Sequence, residues 1–363
     1  MYIALYDENR NHITNVDNVT YDITNRVYDP DSFNAEGVSD TDINNAKIAV
    51  LNDDAGNYEY ACFSDAITPE QNKRTIKGLD FITLWDSEVL LDYTAAGSFD
   101  GRLSQIFTKI KQLVFNSNDT TVCKIPVEVI IPTDNTDTTS VYGSYQNTYK
   151  IVNAYSFLKC YLKYYEYNIE SYYDVTAGKI VFTFVKCNQS VSVDLSDFMH
   201  ELTTTSSATN KAVATIKYNI ETDENDNPTN LPRPSTLATV YYYRTTDNNI
   251  VMSNEQGQIS GRIYPVKEKI FESEYLADAQ FSAVYELANA RYVDNIIIDN
   301  NKTLDPIDFA AYPLYTKVAL YYDGKLYKTL PISEKITTLD GGGKNIKIKL
   351  GFKKILLTEI IKD

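Results

Sequence analysis

A chain of 363 residues carries 34 Lys and Arg against 49 Asp and Glu, a formal net charge of −15, and this balance opposes the basic footprint that tight binding to a phosphate backbone requires. Its 43% hydrophobic residues and mean hydropathy of −0.32 supply material for sizeable cores without a run of about 18 apolar residues that would span a bilayer. Cys62, Cys123, Cys160 and Cys187 lie far apart, which matches neither a zinc-ligand spacing nor a disulfide scaffold and reads as free buried thiols.

Strand signals begin at once. Tyr2 to Tyr6 and His12 to Val16 flank the polar turn Asp7-Glu8-Asn9-Arg10-Asn11, apolar alternation bounded by turn residues. The opening lacks the basic and apolar regions of a secretory signal, so synthesis in the cytoplasm without export by the general pathway is expected. Arg26 to Phe33 reads as a strand broken at Asp29-Pro30-Asp31 and resumed at Ser32-Phe33. Asp40-Thr41 offers a cap for a short helical turn. Lys47 to Leu51 and Asn57 to Phe63 are strands around Asn52-Asp53-Asp54-Ala55-Gly56. Arg74 to Gly78 is a further strand, Asp80 to Asp86 a short helix with Trp85 in the core, and Glu88 to Tyr93 an apolar strand.

Periodicity then changes. Leu103, Phe107, Ile110 and Val114 recur at helical spacing after Ser98 or Asp100 as cap, and Asn116 to Asp119 ends the helix. Val127 to Ile131 reads as a buried strand and Thr133 to Ser140 as a loop. Ile151, Tyr155, Leu158, Leu162 and Tyr165 share one face of a second helix, and Tyr167 to Asp174 pairs with Lys179 to Lys186 across Thr176-Ala177-Gly178.

From residue 191 β character returns. Ala212 to Ile220 and Thr239 to Arg244 flank a polar loop, Glu221 to Pro234, and Arg262 to Phe271 is extended. Ser273 is placed to cap a helix from Glu274 to about Asp294, and strands follow at Lys317 to Tyr322, Lys325 to Thr329 and Asn345 to Phe352. Asp323-Gly324 is a two-residue hairpin turn. These elements predict three units: 1–97, β-barrel-like; 98–190, α/β; and 191–363, β-barrel-like with one long helix. The fold class is β-rich α+β.

The chemistry-bearing residues are sparse. Two histidines exist, His12 and His200, and the second lies near Asp194, Asp197 and the Thr203 to Ser207 run, without triad geometry implied by that proximity. No phosphate-cradling glycine motif occurs. Asp223-Glu-Asn-Asp-Asn227 has oxygen ligands at alternate positions but Pro228 where a calcium loop needs glycine. Lys344, Lys347, Lys349, Lys353 and Lys354 form a local basic run, read as a solvated face or an edge guard. No catalytic, cofactor or metal site is expected. The 30 tyrosines suit half-buried strands and interfaces, where a large ring carries a polar tip.

Four stretches together resemble the hub, or tail-associated, proteins at the tip of long-tailed bacteriophages: Arg26-Val-Tyr-Asp-Pro-Asp-Ser-Phe33, Arg74 to Leu91, the hairpin Tyr173 to Val185 followed by Leu195 to Asn219, and the ending Ile346 to Ile361. Asp31 stands where that group usually has glycine after the proline. The resemblance implies a non-enzymatic homotrimer whose two barrels per subunit form a pseudo-sixfold ring at the virion tail tip. Its implied partners are the distal tail ring protein, the end of the tape-measure protein and a receptor-binding protein, with DNA only in transit through an acidic lumen. The ending at Asp363 leaves out the hydrolase that some relatives carry. Tyr28, Pro30 and Phe33 are expected to serve packing or subunit contact. The competing reading is a carbohydrate-binding adhesin for the host surface, since Tyr, Asn and Asp also line sugar sites.

Overall fold

The computed structural model describes residues 1–39, 43, 45–70, 72–92, 102–115, 125–136, 149–186, 188–195, 200–203, 209–217, 223–225, 227, 229, 238–246, 249–253, 267–274, 276–292, 295–299, 308–341 and 343–352. Outside them lie the caps expected at 40–41 and at 98 or 100, the helix stop at 116–119, part of the 133–140 loop, residues 197 and 204–207, Cys123, Cys187 and the chain after 352.

Six strands close the first barrel: β1 (Tyr2–Tyr6), β2 (His12–Arg26), β3 (Ser32–Val38), β4 (Ile48–Asn52), β5 (Tyr58–Glu70) and β6 (Lys73–Leu79). Their order is β1-β4-β5-β6-β3-β2, and β2 pairs back onto β1, which removes every free edge. Ile3, Leu5, Val16, Phe33, Leu51, Cys62 and Ile76 fill its interior. Every residue of β4 is buried, because Ala49 and Leu51 face inward while Ile48 and Val50 face the neighbouring core. Its turns follow one pattern. Asp7 and Asp53 each accept the amide of the asparagine four residues on, at 2.8 and 2.7 Å, and the asparagine side chain donates back to the same carboxylate.

The α/β unit follows. A 3-10 turn, Phe81–Trp85, is capped by the Asp80 carboxylate and leads through β7 (Glu88–Asp92), α1 (Leu103–Phe115), β8 (Val127–Ile130), β9 (Tyr149–Asn153) and α2 (Ala154–Tyr165) to the hairpin β10 (Tyr167–Asp174) and β11 (Lys179–Lys186). Trp85 is fully buried against Phe115, Phe182 and Phe184, all edge-on within 5.7 Å. Two expectations are corrected here. Ile151 lies on β9 opposite Leu90 of β7, 68% exposed, because Asn153 caps α2 by accepting the Ser156 amide at 2.9 Å. And β8 is an outer strand, parallel to β11, with only Val129 fully buried.

The last part comprises β12 (Ser190–Asp194), β13 (His200–Thr203), β14 (Lys211–Ile216), β15 (Thr239–Arg244), β16 (Ile250–Ser253), β17 (Glu268–Ser273), α3 (Leu276–Asn289), β18 (Asn295–Asp299), the 3-10 turn Phe309–Ala311, β19 (Lys317–Tyr322), β20 (Lys325–Asp340) and β21 (Gly343–Leu350). Strands in the order β12-β19-β20-β21-β18-β13 wrap around Val193, Ile296, Ile298, Val318, Leu320, Leu330, Ile332, Ile348 and Leu350, a second barrel-like array. Between β13 and β18 the chain inserts the four-stranded sheet β16-β15-β14-β17, covered by α3, and α3 also meets α2 where Phe157 and Phe281 stack at 5.3 Å. Ser273 ends β17 and does not cap α3; its partnership with Ile216 claims it for the sheet. Lys347 and Lys349 of β21 guard no edge, since that half of the strand lies between β20 and β18. Lys344 meets Glu59 at 2.9 Å and Lys349 meets Glu334 at 2.5 Å. The Asp323-Gly324 turn has φ of 52° and 71°, as a type I′ hairpin turn requires.

Two long strands weld the barrels. The first half of β2 pairs with β1, and on that same edge Tyr21–Arg26 pairs with Glu334–Leu339 of β20. The first half of β20 pairs with β19 in turn. Each strand therefore stays paired within its own barrel while one edge of its seam half faces the other barrel. This pairing, with that of β7 and β9, runs across the chain positions where the three units were expected to part.

Candidate functional site at the junction of the barrels

Where β2 leaves the seam, the break comes two residues earlier than the expected Asp-Pro-Asp stretch. β2 ends at Arg26, and Val27 still donates to the Ser333 carbonyl at 3.0 Å. Tyr28 then turns into the left-handed region, φ 67°. The Asp31 carboxylate closes the loop by accepting the Arg26 amide at 2.7 Å and the Asn25 side chain at 2.6 Å, while Arg26 Nη1 donates to the Pro30 carbonyl at 3.0 Å.

This turn drives the Tyr28 ring between three parts of the chain. It lies 5.9 Å from Tyr315 and 5.6 Å from Phe352, both in the second barrel region. Its hydroxyl donates to the carbonyl of Leu162 in α2 at 3.2 Å, and the Lys163 ammonium sits 5.5 Å from its centroid, a favourable cation–ring contact. The end of α2 is built for the same place. Glu166 caps it in left-handed geometry, φ 58°, and its carboxylate accepts the Tyr292 hydroxyl at 3.0 Å and pairs with Lys317 at 2.7 Å. Arg291 Nη1 donates to the Tyr164 carbonyl at 2.9 Å.

Backbone strain is concentrated at this point. Of the seven described non-glycine residues with positive φ, four belong to this junction: Tyr28, Glu166, Tyr292 and Tyr315. Each such conformation costs on the order of 1–3 kcal/mol and persists only where its surroundings over-determine it. Burial holds the phenols of Tyr28, Tyr292 and Tyr315 above the ordinary tyrosine range, and the Glu166 carboxylate adds to it at all three, so they stay neutral and act as packing and hydrogen-bonding groups.

Of the three residues singled out in the sequence, Tyr28 is 3% and Phe33 4% exposed, and Pro30 alone lies at the surface. Phe33 sits apart from the junction, inside the first barrel, stacked on Tyr60 at 5.5 Å. The other candidates do not gather. His12 is exposed and bonds to Asn15 at 2.8 Å, and the His200 side chain lies outside the described residues. The Asp223 carboxylate is taken up by the amides of Asn225 and Asn227 at 2.8 and 3.0 Å, the same turn chemistry as at Asp7 and Asp53. Among the described residues no group of three or more His, Cys, Asp or Glu is placed to hold a metal ion. Cys62 and Cys160 are buried in the core. Glu166, Arg291, Tyr292, Tyr315 and Phe352 carried no local signal; the tyrosine-dense run Tyr161 to Tyr167 was the one hint of where they converge.

No family model matches the chain, and no curated protein does. Solved structures do. The 43 kDa tail protein of prophage MuSo2 from Shewanella oneidensis is 15% identical with a TM-score of 0.55, over 96% of this chain and 98% of that one. Prophage tail protein gp18 from Listeria monocytogenes EGD-e is 11% identical with a TM-score of 0.51, over 99% and 97%. A tail protein from Neisseria meningitidis MC58 is 10% identical with a TM-score of 0.50, over 96% and 95%. At these identities the likeness establishes the fold, and that fold is the one found in phage tail proteins.

Proposed function

We propose that this chain, sharing its fold with two prophage tail proteins and a third tail protein, is a structural component of a bacteriophage tail tip or baseplate: a homotrimeric hub that closes or extends the tail tube beneath the distal tail ring. The observation that carries this reading is the end-to-end correspondence, at least 96% of this chain against at least 95% of each tail protein, so that both barrels and the α/β unit are shared and not one module. Three copies of two barrels supply six similar faces, the number a sixfold tube presents. A part that passes force between tube and cell surface needs its barrels held as one body, and the β2–β20 seam with the strained tyrosine junction supplies that. The protein works on this reading through interface area and conformational change, not bond chemistry.

The division at 97/98 and 190/191 belongs to the same proposal, as do the tail ring, tape-measure and receptor-binding partners. Any subunit contact made by the 26–33 segment goes through Pro30 and the exposed Asp29 and Ser32 beside it, since Tyr28 and Phe33 are occupied within the chain. The charge of −15 favours a lumen that repels DNA and lets it slide; a strongly basic lumen on the assembled ring would sink that part. Mass measurement in solution, alone and with a tail ring protein, tests the whole: three times the 41.2 kDa chain mass or a ring complex is expected. A strict monomer that binds glycans saturably would defeat the hub in favour of an adhesin.

A further inference from the structure

Asp80 lies where the first barrel meets the α/β unit, and its carboxylate touches both. Oδ2 accepts the backbone amide of Asp31 at 2.8 Å, Oδ1 accepts the Ile82 amide at 3.1 Å as the cap of the 3-10 turn, and Ser171 Oγ on β10 stands 3.5 Å from the same oxygen. Asp80 is 5% exposed. Beside it Asp31, itself half-buried, closes the 26–31 loop, so two acids lie side by side where access of water is restricted. The cation acting on Asp31 is Arg26, and its guanidinium is already engaged by the Pro30 carbonyl and, at 3.6 Å, by Glu334. The other groups that feel the pair are neutral at ordinary pH: Tyr58, Tyr60 and Cys62 from β5 and Tyr155 from α2.

We propose that Asp31 and Asp80 form a protonation-dependent latch between the first barrel and the α/β unit, closed while the pair retains a proton and loosened when both carboxyls ionise. Two like charges in low dielectric cannot both be held without water or movement. The element free to move is the short 3-10 turn, since its cap is one of the two acids. This inference stands whether or not the chain is a tail hub.

Burial first, and then Asp80, push the Asp31 carboxyl up to about 8, and burial raises Asp80 as well. An ordinary aspartate titrates near 4. Between those values the folded chain holds a proton that the unfolded chain has lost, so stability is fully present at acid pH and declines as pH rises through about 8. The effect runs opposite to that of a salt-bridged carboxylate.

Trp85, the one tryptophan, sits on that same 3-10 turn and reports its docking. The test is the emission of the full chain followed from about pH 6 to about pH 9.5, beside Asp31→Asn, in which Asn25 can turn its amide to keep the loop closed. The wild type is expected to shift to the red with a midpoint near 8, and Asp31→Asn to show no shift across the range. A wild type without a transition overturns the proposal. So does a variant with an unchanged midpoint, which would assign the titration to Lys163 or Lys335, both pushed down to about 8 by burial. Should Asp31→Asn fail to fold, hydrogen exchange of the wild type decides: residues 80–86 must lose protection above the midpoint, after correction for intrinsic rates, ahead of the first-barrel strands. Uniform loss or none overturns the latch.

Discussion

Tyr28→Ala is expected to lower the free energy of unfolding by about 3–5 kcal/mol, the range for truncating a large buried aromatic, and to split one denaturation transition into two. The ring is a shared wall, packed on Tyr315 and Phe352 from the second barrel region and hydrogen-bonded to α2. Removing it opens a cavity where three parts of the chain meet. Tyr28→Phe isolates the hydroxyl and should cost only about 1 kcal/mol, since the Leu162 carbonyl keeps the Glu166 amide as a donor. Tyr28→Gly separates ring from backbone. At φ 67° glycine is free of the left-handed penalty that alanine still bears, so it should recover about 1 kcal/mol relative to alanine. Urea denaturation of the three variants checks the series. An alanine variant within about 1 kcal/mol of wild type, still unfolding in one step, would show that the β2–β20 seam alone couples the barrels.

The first barrel was legible because its information is local. Its strands alternate, its turns announce themselves through Asp-x-x-x-Asn, and its continuous apolar run at Ile48–Leu51 reflects burial on both faces. The short helical turn from Asp80 to Asp86 was legible too, though not that Asp80 caps it. Local patterns misled where two structures share one pattern. Ile151 stands four residues before Tyr155, a helical spacing, yet the residue between them that decides is Asn153, whose side chain starts the helix. Ser273 before Glu274 looks like a cap until Ile216 pairs with it. The junction was illegible for a different reason. Glu166 meets Tyr292 and Lys317 across 126 and 151 residues, and tyrosine and glutamate give no sequence sign of a left-handed backbone. Tyr28 was picked out from its neighbours in sequence, but its purpose is set by partners that no window around it contains.

Gly78→Ala tests how tightly the closed barrel is specified. Gly78 lies on β6 opposite Phe33 and Ser64, and a Cβ there would stand 2.2 Å from Cys62 Sγ and 2.9 Å from Phe33 Cδ1. Neither neighbour has room to retreat: Cys62 is fully buried and Phe33 is stacked on Tyr60. The backbone of Gly78 is not left-handed, so the cost is purely one of space, about 1–3 kcal/mol for overpacking a filled core. Cys62→Ala removes the nearest obstacle, and the double variant Gly78→Ala, Cys62→Ala should therefore lose less than the two single losses added together, the mark of a shared cavity. Gly37→Ala is the contrast. Its Cβ would meet Val16 Cγ1 at 2.6 Å but also the Asp17 carbonyl oxygen at 2.8 Å, which belongs to the backbone of β2 and cannot be trimmed. Val16→Ala should therefore fail to rescue it, and the barrel would have to part β3 from β2 to make space. Thermal denaturation of the two cycles separates the cases. Additive losses at Gly78 and Cys62, or a full rescue at Gly37 by Val16→Ala, would mean that the barrel relaxes around an extra methyl group and that its glycines are not what sets the spacing of its strands.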